Sequence, residues 1–193
     1  MKSSLLLLLA LNAATCYATF TCPNPPAPAG FDIKKLEGIH YDYLSTAEYD
    51  AQTFCVTAEY KVVEESMVNI TVRGWHNGPP HSPGAFEKTW SLLLKNIPGN
   101  PSQFNITGAT MPVFIGTVIN FYWQPSSDAF SWASCSYEGN NTYGYEIHGL
   151  YKVGSTFTGD HINSMQSAYF KNNLNPQNIS LKISPHPHSF CSV

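Results

Sequence analysis

Between His40 and Lys152 the chain repeats one pattern: a short run in which apolar and polar residues alternate, closed by Gly, Pro, Asn or Ser. Successive side chains of a strand face opposite sides, so each run reads as a half-buried strand. Eight are predicted: His40 to Thr46, Phe54 to Val63, Met67 to Trp75, Glu87 to Leu94, Gln103 to Gly108, Thr117 to Gln124, Phe130 to Tyr137 and Tyr143 to Lys152. Their even spacing favours a sandwich or a barrel of sequential hairpins. "HNGPPHSPG", His76 to Gly84, is a turn-rich loop, and "CPNPPAPAG", Cys22 to Gly30, is a proline-rich arm without strand or helix periodicity. One segment departs from alternation. Thr158 to Leu174 carries Ile162, Met165, Tyr169 and Leu174 at helical spacing, with Thr158 or Asp160 able to cap its start. A single amphipathic helix after eight strands is expected to lay its apolar stripe on the outside of the sheet.

The start of the chain has a different character. Met1-Lys2 is basic, Leu5 to Leu11 is almost purely apolar, and small residues follow up to Ala18. This order reads as a secretory signal peptide over residues 1–18. A membrane anchor is the alternative, but it needs about 20 apolar residues. Residues 19–193 then form a single domain, destined for secretion. With 43% hydrophobic and only 12% charged residues, that length can bury a sizeable core. A net charge of −3 offers no basic surface for nucleic acid, and no later stretch would span a membrane.

Removing the leader takes Cys16 with it and leaves Cys22, Cys55, Cys135 and Cys191. An even number in a secreted chain argues for two disulfides, with three connectivities open. No pair has the close spacing of a metal or redox motif. Four glycosylation sequons, at Asn69, Asn105, Asn140 and Asn178, agree with secretion.

Local motifs decide between sandwich and barrel. Cys22-Pro23, Phe31-Asp32, Lys34-Lys35 and Gly38-Ile39-His40-Tyr41 follow one another. Then come Phe54-Cys55-Val56-Thr57-Ala58-Glu59-Tyr60, Ser134-Cys135 and a last cysteine near the end. This order resembles the lipocalin family, in particular its apolipoprotein D and bilin-binding branch. The resemblance implies an all-β fold: an eight-stranded up-and-down antiparallel barrel with one C-terminal helix packed outside. It also implies the pairing Cys22–Cys135 and Cys55–Cys191, each bridge worth roughly 4–5 kcal/mol in the chain-entropy model, less any strain. Departures mark a divergent member. His40 stands where the family has tryptophan, and Lys152 where it has the arginine that stacks on that indole at the barrel floor. Lysine stacks on aromatic faces less well than arginine, so a His40–Lys152 pair should make a weaker plug. Asp128 is a remnant of a further family motif.

A glycan cannot fit inside a small barrel, so the sequons set the parity of their strands. With Asn69 outward, Val68, Ile70 and Val72 face in; with Asn105 outward, Phe104 and Ile106 face in. This gives an apolar, aromatic lining, either of a cavity or of a solid core; the resemblance implies the cavity. Tyr122, Trp123, Tyr143, Tyr145 and His148 could stack on and hydrogen-bond a conjugated ligand, although aromatics are also ordinary strand residues. His40 is read either as a hydrogen-bonded floor residue or as a pH-sensitive latch. His76 and His81 sit in a loop at the mouth. His186 and His188 alone make an incomplete metal site and read as a solvated tail, so no metal is expected.

Three function classes follow. The first is a secreted carrier that buries a small hydrophobic ligand. The resemblance implies a bilin such as biliverdin, a carotenoid or a retinoid, or else a sterol or fatty acid. The second is an isomerase-type enzyme on the same scaffold. Its thiol-dependent form needs a free cysteine, and neither Gly-x-Ser-x-Gly nor His-Glu-x-x-His occurs. The third is an interaction module that uses the long loop and the proline-rich arm to bind a partner or a second copy as a homo-oligomer.

Overall fold

The computed structural model describes residues 24–45, 53–123, 128–139, 142–155, 182–183 and 191. Nine strands lie within them: β1 (Gly38–Ser45), β2 (Thr53–Glu64), β3 (Met67–His76), β4 (Phe86–Asn96), β5 (Gln103–Ala109), β6 (Val118–Trp123), β7 (Ala129–Gly139), β8 (Thr142–Lys152) and β9 (Lys182–Ile183). The first eight are the predicted ones with ends moved by a few residues. Each pairs antiparallel with its neighbour in sequence from β2 to β8, and β1 pairs with both β2 and β8. The sheet therefore closes on itself as an up-and-down barrel. The two-residue β9 adds to the upper end of β1, at Leu44 and Ser45. The predicted helix, Thr158 to Leu174, and residues 1–18 lie outside the described residues, as do Cys22, Asn140, Asn178, His186 and His188.

Alternation within the strands creates the inside of the barrel. On β3, Val68 and Ile70 are buried while Asn69 and Thr71 stand between them on the other face. On β2, Val56, Ala58 and Tyr60 are buried, and Glu59 and Lys61 are exposed. On β5, Phe104 and Ile106 flank Asn105 in the same way. The solid core occupies the closed end, where Leu36, Val68, Leu94, Phe104 and Phe121 lose all contact with water.

The segment preceding β1 seals that end. Asp32 accepts a hydrogen bond from the Lys34 backbone N–H (3.0 Å) and so caps a short 3-10 turn, Ile33–Leu36. The turn pushes Leu36 into the floor. Glu37 then accepts from the Val62 N–H (3.2 Å), tying the turn to β2. Gly38 follows at φ 121°, a backbone angle closed to other residues, and a Cβ there would lie 3.3 Å from Lys152 Cε. The arm before the turn is held too, since Asn100 Nδ2 donates to Asn24 Oδ1 and to the Pro25 carbonyl, both at 2.7 Å.

At the opposite end β2 carries a bulge between Phe54 and Thr57, with Cys55 in the left-handed region at φ 53°. A disulfide joins Cys55 to Cys191 across a sequence separation of 136, with Cα atoms 5.4 Å apart. Tyr41 adds a second tie, its hydroxyl donating to the Cys191 carbonyl (3.0 Å). Cys135 is also disulfide-bonded. Replacing Cys55 and Cys191 together with serine should lower unfolding stability by about 2–5 kcal/mol, read as a shifted denaturant midpoint. An unchanged midpoint would show that the bridge contributes nothing.

Candidate ligand-binding site

The lower half of the barrel is filled by rings. His40 meets Phe130 edge-on at 4.9 Å between centroids and Tyr60 at 5.5 Å. Tyr60 and Phe121 each pack on Phe130, and Phe104 packs on Phe121 at 5.5 Å. Such edge-to-face pairs add about 0.5–1.5 kcal/mol each beyond the area they bury. His40 thus belongs to an aromatic floor. Its direct cross-strand partner on β8 is Lys152, whose stem passes beneath Gly38 while the residue stays exposed.

Burial disfavours a charged imidazole, and it lowers the pKa of His40 from 6.5 to about 4. A hydrogen bond with the Gly38 backbone opposes this, and the positive charge of Lys152 reinforces it. A latch that changes charge between pH 5 and 8 is therefore not available in the folded protein: His40 stays neutral there because it is desolvated. The consequence is for stability. The unfolded chain takes up the proton near pH 6.5 and the folded chain only near 4, so stability falls as pH drops through that window. Between pH 7 and pH 4.5 wild type should lose about 2–3 kcal/mol more than the His40→Phe variant, measured by urea denaturation. Equal losses would contradict a buried neutral imidazole.

Above the floor the barrel is hollow. A cavity of about 320 Å³ opens at the end that carries the β3–β4 and β5–β6 loops, at the low end of the range for small-molecule sites. Ile70 and Val72 of β3, Leu92 of β4, Ile106 of β5, Ile119 of β6 and Leu150 of β8 form its apolar wall. Trp90 and Lys88 line the upper part of β4. Met111, Phe114 and Thr117 of the β5–β6 loop, with Thr53 and His76, frame the mouth. Outside, the same loop leaves Val113 and Ile115 exposed.

The remaining wall is polar. Asp42 of β1 and His148 of β8 are both buried, and His148 Nδ1 lies 2.7 Å from Asp42 Oδ2. Trp132, opposite His148 in the β7–β8 register, stacks on that imidazole at 4.0 Å and 18°. The Trp132 Nε1 atom is buried, and the indole acts on the neighbouring Tyr60 hydroxyl as a hydrogen-bond donor. Burial and the negative charge of Asp42 both push the Tyr60 hydroxyl well above the usual tyrosine range, so it stays protonated.

The sequence-predicted residues separate into groups. Ile70, Val72, Ile106 and His148 line the cavity, whereas Val68 and Phe104 lie in the packed floor. His40 is under the cavity, and Lys152 is at the outer edge of that floor. Tyr122 does not line the cavity; strand alternation sets it on the face opposite Ile119 and Phe121, where burial raises its pKa. The side chains of Trp123, Tyr143 and Tyr145 lie outside the described residues. Asp42, Tyr60, Trp132 and Ser134 were not singled out from the sequence. Their signals were a lone acid among the aromatics of "IHYDYLS" and the i, i+2 spacing of Trp132 and Ser134 on one strand face. Among the described residues no group of three or more His, Cys, Asp or Glu could hold a metal ion, and no helix is long and apolar enough to cross a membrane.

This barrel, closed below by rings and open above over an apolar cavity, is the lipocalin fold. Solved structures with the same fold include H1 crustacyanin of the lobster Homarus americanus, with 15% identity over 86% of this chain and 91% of that one, at a TM-score of 0.57. Insecticyanin of the tobacco hornworm Manduca sexta matches at 12% identity over 89% of each chain, at a TM-score of 0.57. The siderocalin Ex-FABP, described as functioning through dual ligand specificities, matches at 10% identity over 82% of this chain and 95% of that one, at a TM-score of 0.55. No protein-family model matches the chain, and no curated protein does.

Proposed function

We propose that the protein is a divergent lipocalin that carries a small hydrophobic ligand in its barrel. The observation behind this reading is the apolar cavity of about 320 Å³, enclosed on the sides, sealed by the aromatic floor and open at one end. Removing apolar ligand surface from water there is worth about 25 cal/mol for each Å² buried, and a few polar groups on one wall can fix orientation. The motifs resembling the bilin-binding branch favour a flat conjugated ligand, a bilin such as biliverdin or a carotenoid or retinoid, over a sterol or fatty acid. The leader-like start and the sequons favour secretion, with glycan at Asn69 and Asn105, which lie on the outer face.

Carriage is favoured over thiol-dependent catalysis by a specific observation. Cys55, Cys135 and Cys191 are all disulfide-bonded, so none of the described cysteines offers a thiolate. Protein purified from its natural source should keep a visible absorption band through gel filtration; a colourless protein with no bound small molecule in native mass spectrometry would oppose the pigment reading. Val72→Trp, which pushes an indole into the cavity from a partly buried position, should weaken binding of a neutral fluorescent probe by tenfold or more while far-UV circular dichroism stays unchanged. Unaltered probe affinity would place binding elsewhere.

A further inference from the structure

The barrel wall has a gap near its mouth. The β4–β5 ladder stops at the Leu92–Ala109 pair, whereas β4 continues upward to Phe86, paired on its other side with β3 as far as His76. At the foot of the gap Ser91 turns both backbone groups away from β3. Its carbonyl accepts from the Thr110 N–H (2.9 Å), and its N–H donates to Thr110 Oγ1 (3.0 Å). Backbone groups alternate sides along an antiparallel strand, so Thr89 and Glu87 turn theirs the same way. No backbone of the described residues meets them there. Apolar side chains collect around the same gap. Of the four exposed large hydrophobic residues among those described, Phe86 (52% exposed) begins β4, and Val113 (79%) and Ile115 (52%) belong to the loop that starts at Thr110. We propose that this upper overhang of β4 is a docking site for an extended segment of a partner protein, which adds as a strand at Glu87 and Thr89 and carries an acidic residue opposite Lys88 between two apolar ones.

The backbone chooses among occupants. A lipid surface would cover the apolar side chains, but hydrocarbon leaves the N–H and C=O groups of Glu87 and Thr89 unanswered. A second copy of the chain meets a different obstacle. The symmetric β4–β4 pairing that sets Glu87 against Thr89 in both copies also sets Lys88 against Lys88, and like charges directly opposite destabilise a ladder. An extended segment of another sequence meets neither obstacle. Its preferred sequence follows from alternation. Lys88 and Trp90 face the inside of the barrel, and Phe86 stacks there on His76 at 5.4 Å. The residues opposite Phe86, Lys88 and Trp90 are then best apolar, acidic and apolar. Val113 and Ile115 offer further apolar surface beside the gap. The inference stands independently of what the cavity carries.

The test uses the whole chain and an end-blocked seven-residue peptide of alternating threonine and valine, with aspartate in place of the central valine. Amide exchange is followed by nuclear magnetic resonance. Bound peptide should slow exchange at Glu87 and Thr89 by about tenfold or more. N-methylation of the two threonines flanking the aspartate should weaken binding by about tenfold or more, because it removes the donors that face β4. Lysine in place of the aspartate should weaken it about three- to tenfold, and Lys88→Glu should reverse that preference. A peptide that leaves both amides unchanged at millimolar concentration overturns the proposal, as does equal binding of the N-methylated form. Slow exchange of both amides in the protein alone also overturns it: the chain itself then covers the overhang, or a second copy does if the protection rises with concentration. Protection by phosphatidylcholine vesicles instead of the peptide would assign the surface to lipid and overturn it too.

Discussion

The structure depends on the double pairing of β1. Its lower half, Gly38 to Tyr41, hydrogen-bonds to β2, and its length from His40 to Ser45 pairs with β8. Without that strand the remaining seven would be an open sheet with two unpaired edges and a single buried face. With it, no edge is left among the first eight strands and the inner face becomes an enclosed volume. Both ends of β1 are secured separately. The 3-10 turn and Gly38 fix where it begins, while the Tyr41 hydroxyl and β9 hold its upper part to the C-terminal segment, which the Cys55–Cys191 bridge joins to β2.

Closure creates two regions with different physics. Below, rings from five strands leave no room for a ligand, and the imidazole of His40 is accommodated only in its neutral form. A tryptophan there would be uncharged at every pH; a buried histidine makes the floor sensitive to acid. Above, smaller aliphatic side chains at the same inward positions leave a hollow. Strand alternation supplies both, and side-chain size decides which. The register brings Asp42, His148 and Trp132 together on the hollow's wall, so a polar site arises from three strands that are each mostly apolar inside.

Much of the fold was legible because alternation is a local property. All eight strands could be read from apolar spacing and turn residues, and Val68, Ile70, Phe104 and Ile106, read as inward on β3 and β5, are buried. Depth was not legible. Val68 and Ile70 alternate identically, yet one lies in the floor and the other in the cavity, because their heights depend on barrel tilt and on where the 3-10 turn plugs the end. Tyr122 was misplaced because "VINFYW" is a nearly continuous apolar run, broken only by Asn120, and gives alternation little to count. The Asp42–His148 contact joins residues 106 positions apart and exists only once β1 closes against β8.

Carriage requires that a ligand enter the hollow and rest on the aromatic floor. Intermolecular nuclear Overhauser effects between a bound neutral apolar probe and methyl groups labelled in the protein test it most directly. A probe bound in the hollow should contact Ile70, Leu92, Ile106 and Ile119, more weakly Val72 at the rim, and neither Val68 nor the exposed Val113. Contacts confined to Val113 and Ile115, with the inner methyls silent, would mean that the probe sits on the outside of the barrel and would contradict it.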